Sequence, residues 1–162
     1  MTPVDEDDAV TPVDEDDAVT PVDEDGAVTP VEIVQRRRQV MLAHDADGFA
    51  GLFAPDAVIE MPTAGPGAPQ RLEGRAAIEE LSRRAVAGMH IDEFEDVAVH
   101  ETADPEVVIA ETVTRATLTA TGESFTTPSI QVFRVRDGRI VLFRTYVAPP
   151  AQLTRPGVGE QP

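Results

Sequence analysis

The chain contains no cysteine. That excludes a disulfide framework, a thiolate metal site and a thiol nucleophile. It contains no lysine either, since all thirteen basic residues are arginine, so Schiff-base chemistry on a side-chain amine is excluded too. Aromatic residues are scarce, at 4%. No stretch approaches the roughly 20 apolar residues of a membrane-crossing helix, and the N-terminus lacks the basic and apolar regions of a signal peptide. A cytoplasmic protein with no membrane partner is the expectation. A basic face is missing as well. The 162 residues carry a formal net charge of −17; eleven acids and no base lie in residues 1–28, which leaves nineteen acids against thirteen arginines elsewhere. The body is thus net negative on its own, which argues against nucleic acid as a partner, because phosphates call for a basic surface.

What is present begins with a repeat. Residues 2–28 read TPVDEDDAV, TPVDEDDAV, TPVDEDGAV, and Thr29-Pro30-Val31-Glu32 opens a fourth copy. A nine-residue, acid-rich, proline-containing unit fits no solenoid period and buries too little apolar surface to fold alone. Residues 1–30 are read as a disordered acidic tail, either solubilising or docking a basic partner. One domain follows over 31–150, and 151–162 form a flexible C-terminal tail.

Within the body, 31–43 reads as a helix with Pro30 in its first turn. Val31, Val34, Arg38 and Met41 recur on one stripe. Arg38 inside that stripe either snorkels to the surface, as Arg36 and Arg37 are expected to do, or points into a cavity and holds an oxygen. Asp45 is a candidate N-cap for a short second helix carrying Phe49, Leu52 and Phe53. His44 beside Asp45 and Asp47 has no second histidine at ligand spacing, so no metal is expected. A short strand over 57–61 ends at Pro62, and a Gly- and Pro-rich loop follows without a phosphate-binding signature. A second short strand lies at 71–74 and a third helix over 75–87. The rest reads as strands over 90–101, 106–120 and 123–136, with Pro128 marking a bulge or an edge, and a last strand. Asp137-Gly138 between two apolar, β-branched runs signals a tight hairpin. In its second arm Val141, Phe143, Thr145 and Val147 share one face, and Ile140, Leu142, Arg144 and Tyr146 the other. This order predicts an α+β fold in which three N-terminal helices pack on the concave face of a cone-shaped, curved antiparallel sheet.

The segments from Asp45 to Pro62, Glu73 to Ile78, Glu101 to Pro105 and Val132 to Ile140 resemble the nuclear transport factor 2-like superfamily. The similarity is greatest to its SnoaL-like polyketide cyclase, ketosteroid isomerase-like and phenazine biosynthesis A/B-like branches. The resemblance implies a ligand cavity inside the cone and a homodimer through the sheet. It also marks departures. The isomerase base falls on Met61, the tyrosine proton donor near Arg38, and the second oxyanion acid on Gln131; the phenazine-type glutamate falls on Thr145. The family register would turn Gln131, Thr145, Phe133 and Phe143 inward, with Thr112, Thr114, Ala116 and Leu118 on the long strand, and Glu111 and Arg115 outward.

On that footing the expected site has Gln131, Thr145, Arg38 and His90 as its catalytic polar groups. Its apolar wall is expected from Met41, Phe53, Ile59, Met61, Met89, Thr114, Ala116, Leu118, Phe133, Phe143 and Tyr146. With the family carboxylates gone and no cofactor expected, such a cavity suits a cyclase of natural-product biosynthesis. It would fold an apolar, polyketide-like substrate into a reactive conformer and hydrogen-bond one carbonyl, and a pericyclic closure, which needs no proton transfer, is one route. An aldol-type variant would use His90, Glu60 or Glu111 as base. The reading from another class is a non-catalytic small-molecule-binding or assembly protein.

Overall fold

The computed structural model describes residues 26–148; the repeat over 1–25 and the C-terminal tail from 151 lie outside the described residues. Helix α1 (Pro30–Leu42) starts on a reciprocal cap. The Thr29 hydroxyl accepts from the Glu32 backbone N–H at 3.2 Å, and the Glu32 carboxylate accepts from the Thr29 N–H at 2.7 Å. The fourth copy of the repeat is therefore structural, and the domain takes in Thr29 and Pro30. Helix α2 (Ala46–Gly51) is capped by Asp45, which accepts from the Gly48 N–H at 2.8 Å. Strands β1 (Phe53–Glu60) and β2 (Arg71–Glu73) precede α3 (Arg75–Gly88). Four long strands follow: β3 (Met89–Glu101), β4 (Val107–Leu118), β5 (Ser124–Arg136) and β6 (Arg139–Val147).

The six strands form one curved, unclosed sheet in the order β2-β1-β6-β5-β4-β3. This is the expected α+β architecture, with one difference. β1 runs parallel to β6, pairing Ile59 with Phe143, while every other neighbour is antiparallel. β1 also starts at Phe53, four residues before the predicted strand. Register shifts in β3, between Ile91 and Glu93 and between Asp96 and Ala98, bend the sheet. α1 lies across β3, β4 and β5 on the concave side, and α3 leans on β1 and α2.

The β5–β6 hairpin turns on Asp137 and Gly138, at φ 52° and 71°. Two positive φ values in a two-residue loop make the primed turn that follows strand twist. A register shift between Arg134 and Val135 then places Ile140 opposite Val135, fully buried, instead of on the outer face with Leu142. Simple alternation misassigns Ile140 because it cannot see this bulge. Pro128 sits in register with Val113, and β6 stops opposite Ser129, so the missing N–H falls where β5 has only one neighbour. The core gathers Ile33, Val34, Phe53, Ile59, Ile78, Val108, Phe133, Ile140 and Phe143. Phe53 and Phe143 meet edge to face at 6.2 Å, and Phe133 lies 4.9 Å from Phe143.

Gly138 tests the hairpin. A Cβ there would meet the Val28 side chain at 3.4 Å on a backbone that L-residues rarely adopt. Gly138→Ala is expected to lower stability by about 1 kcal/mol, read as a lower urea midpoint at unchanged slope.

Candidate functional site

A cavity of about 240 Å³ lies where α1, α2 and α3 meet the sheet. Its wall comes from six places. α1 and the turn after it supply Val40, Met41 and His44, and α2 with its cap supplies Asp45, Ala46 and Phe49. The end of β1 supplies Ile59 and Met61; α3 supplies Leu81, Ser82, Ala85 and Val86. Met89 and Ile91 of β3, with Phe143 and Thr145 of β6, complete it. α3 offers small side chains, Ser82 and Ala85, where larger ones would fill the space, and the Ser82 hydroxyl is spent on the Ile78 carbonyl at 2.8 Å.

The structure sorts the expected residues into three groups. Met41, Ile59, Met61, Met89, Phe143 and Thr145 lie on the wall. Gln131 is the register partner of Thr145 and equally buried. Phe53 and Phe133 are fully buried behind the wall as core. Thr114, Ala116 and Leu118 pair with Phe94, Ile91 and Met89, one strand removed from the lining residues. Tyr146 is exposed on the outer face, because Thr145 beside it points inward. His90 is exposed as well; its ring lies 4.1 Å from that of His44, and its Nδ1 is 3.2 Å from Asp92. The Asp92 carboxyl is held below the usual range, first by the Thr117 hydroxyl and then by His90.

Arg38 is exposed and donates to the Phe94 carbonyl at 3.1 Å; its neighbour Arg37 is the buried one. The inward stripe of α1 runs through Ile33, Val34, Arg37, Val40 and Met41; it keeps Val34 and Met41 of the predicted stripe but takes Arg37 in place of Arg38. Arg37 is 0% exposed. Its Nη2 donates to Asp96 at 2.7 Å, and its guanidinium carbon lies 4.6 Å from the Phe94 ring centroid and 5.4 Å from that of Phe133. Burial lowers its pKa from the ordinary arginine value, with Asp96 opposing.

His44 lies on the wall without having been expected there. It occupies the left-handed region at φ 54°, and its Nε2 accepts from the Ile91 N–H at 2.9 Å. In the neutral ring the proton therefore sits on Nδ1. The signal available in the sequence was the helix break at His44; the partner on β3 was not. Among the described residues, the buried side-chain polar atoms without a partner are Arg37 Nε and Nη1, Gln131 Oε1 and Thr145 Oγ1. The last two belong to the cavity side of the hairpin.

The candidate bases are all engaged. His44 spends its Nε2 lone pair on Ile91, and Asp45 caps α2. Glu60 holds Arg144 at 2.5 Å and Arg71 at 2.9 Å, and Glu111 pairs with His100 at 3.0 Å on the outer face.

With this geometry, comparison with known proteins becomes informative. The family model of the SnoaL-like domain matches residues 34–143. The chain belongs to the SnoaL-like domain family. It is 36% identical over 118 residues to the PhzA/B-like protein PA3332 of Pseudomonas aeruginosa, covering 73% of this chain and 83% of that one. A crystal structure from Bacillus subtilis matches with a TM-score of 0.71 at 34% identity, over 74% of this chain and 86% of that one. A Δ5-3-ketosteroid isomerase from Mycobacterium sp. shares the fold, with a TM-score of 0.64 at 22% identity over 74% and 93% of the two chains. No helix among the described residues of this SnoaL-like chain is long and apolar enough to cross a membrane.

Arg37 generates a stability prediction. Asp96→Ala strands a buried cation and is expected to cost about 3 kcal/mol, the low end for a broken buried pair because Asp96 keeps some solvent. The double variant Arg37→Met, Asp96→Leu removes both charges and is expected to recover most of that loss. Urea denaturation of the three proteins checks it.

Proposed function

We propose that this SnoaL-like protein binds a compact apolar molecule in the cavity and promotes ring closure without a cofactor. The reaction is of the kind found in natural-product, polyketide-like biosynthesis. The observation that carries the reading is a cavity wall that is apolar almost throughout, with the His44 Nε2 lone pair spent on Ile91, an Asp45 oxygen on the α2 cap and Glu60 on Arg144. Such a site holds a flexible chain in a reactive conformer, which removes much of the entropic barrier to cyclisation, and offers Thr145 as a donor and Gln131 as an acceptor. At about 240 Å³ the cavity is near the lower end of ligand pockets, which favours a small ring system over a steroid. The proposal includes a homodimer through the outer sheet face, where Ile130 and Tyr146 are exposed; sedimentation measures it.

The lack of a free base also favours a second reading, a non-catalytic binding protein of the same fold. Met61 at the end of β1 and Thr145 on β6 stand where a carboxylate would do acid–base work.

Calorimetric titration with a linear conjugated polyene ketone, followed by product analysis, separates these readings. Saturable binding is expected, blocked by Ala85→Phe, which fills the cavity, and weakened by about 1–3 kcal/mol in Thr145→Val, where the hydrogen-bond donor to the ketone is lost. Ring closure by conformer trapping is expected to show no bell-shaped pH profile, since it needs no general acid or base. A bell-shaped profile would put a titrating group in the mechanism. Binding without closure would make the protein a carrier, and no saturable binding would overturn both readings.

A further inference from the structure

Resting on the cavity reading above, we infer that the site selects an apolar ligand bearing a hydroxyl group over the corresponding ketone.

Gln131 and Thr145 face one another across β5 and β6, at 6% and 9% exposure, each with a buried oxygen that lacks a partner. Thr145 is on the cavity wall. The two oxygens differ in what they offer. A threonine hydroxyl donates or accepts as its rotor turns, whereas an amide carbonyl only accepts. What turns the Gln131 carbonyl toward an unfilled position is the other end of its amide. Nε2 donates to Ser129 Oγ at 3.4 Å, and Ser129 Oγ lies 2.6 Å from Thr112 Oγ1. With the Ser129 proton given to Thr112, the Ser129 lone pair holds the amide N–H. Gln131 then has only its acceptor to present.

An alcohol satisfies both orphans. Its O–H donates to Gln131 Oε1, and its oxygen accepts from Thr145. A ketone accepts from Thr145 but sets its lone pairs against Gln131 Oε1, which stays buried and unpaired. Sites built to bond a hydroxyl reject the analogue lacking it for this reason. Arg37 does not reverse the preference. Its charge is met by Asp96 and by the Phe94 and Phe133 rings.

Three bicyclic probes that share a carbon frame test this on the full chain: tetralin, α-tetralol and α-tetralone, titrated calorimetrically. The expected order places tetralol roughly tenfold or more tighter than tetralone. The ratio is expected to collapse toward one in Gln131→Met, which keeps the length and removes the acceptor. It is expected to shrink in Ser129→Ala, which frees the amide to flip. Tetralone binding as tightly as tetralol, or tighter, while tetralin still binds, would overturn the inference and leave the cavity reading standing. An undiminished preference in Gln131→Met would overturn it as well. Failure of all three probes to bind would remove the cavity reading and the inference together. The wild-type ratio decides even if a variant fails to fold.

Discussion

A concave sheet has to be filled, and here the ion pair between Arg37 and Asp96 decides how. α1 is the helix laid across β3, β4 and β5, and the face it turns to them carries a fully buried cation. Removing a guanidinium from water costs several kcal/mol unless a partner and further contacts offset it. Asp96 and the rings of Phe94 and Phe133 supply that offset. Rotating α1 by one residue would expose Arg37, bury Arg38 and leave Asp96 without its cation. The pair thus locks the rotation of α1, and with it the side chains that the next turn delivers: Val40, Met41 and, past the helix end, His44.

The cavity follows from that lock. With α1 fixed at one end, the His44 ring is bonded to the first turn of β3 through Ile91, while α2 hangs from the Asp45 cap and meets α3. α3 then bridges to β1 with a small-residue face. Large aromatics close the space from behind, where Phe53, Phe133 and Phe143 interlock. Phe143 belongs to both core and wall, so the packing that stabilises the fold also shapes the site. Four of the seven aromatic residues, Phe49, Phe53, Phe133 and Phe143, gather here, and the alanines and methionines on the rest of the wall leave room instead of filling it.

Much of this was legible because it is local. The Asp137-Gly138 turn and the Asp45 cap depend on residues near one another in sequence, while the register that brings Gln131 and Thr145 to one face came from the family resemblance. What was not legible depends on distant ones. The choice between Arg37 and Arg38 is a shift of one residue on an amphipathic helix, and its deciding partner lies 59 positions away. His44 reads as a helix break until Ile91 is placed against it. Ile140 turns inward only because of a bulge that no periodicity announces. Tyr146 is a different case. Alternation already placed it on the face away from Thr145, and the structure keeps it exposed there.

The polar atoms left without partners connect stability to ligand binding. Native interiors pair nearly all their buried polar groups, so Gln131 Oε1 and Thr145 Oγ1 are costs the fold carries without an internal return. Replacing either by an apolar side chain of similar shape would relieve that cost, which makes their presence hard to explain by packing alone. Arg37 differs, since its charge is needed to set the helix. A ligand that bonds the hairpin pair binds the folded state alone and stabilises it by mass action. The same two atoms then weaken the empty protein and hold the occupied one. On the proposed reading, the shape of the wall selects the conformer and the hairpin pair selects the functional group.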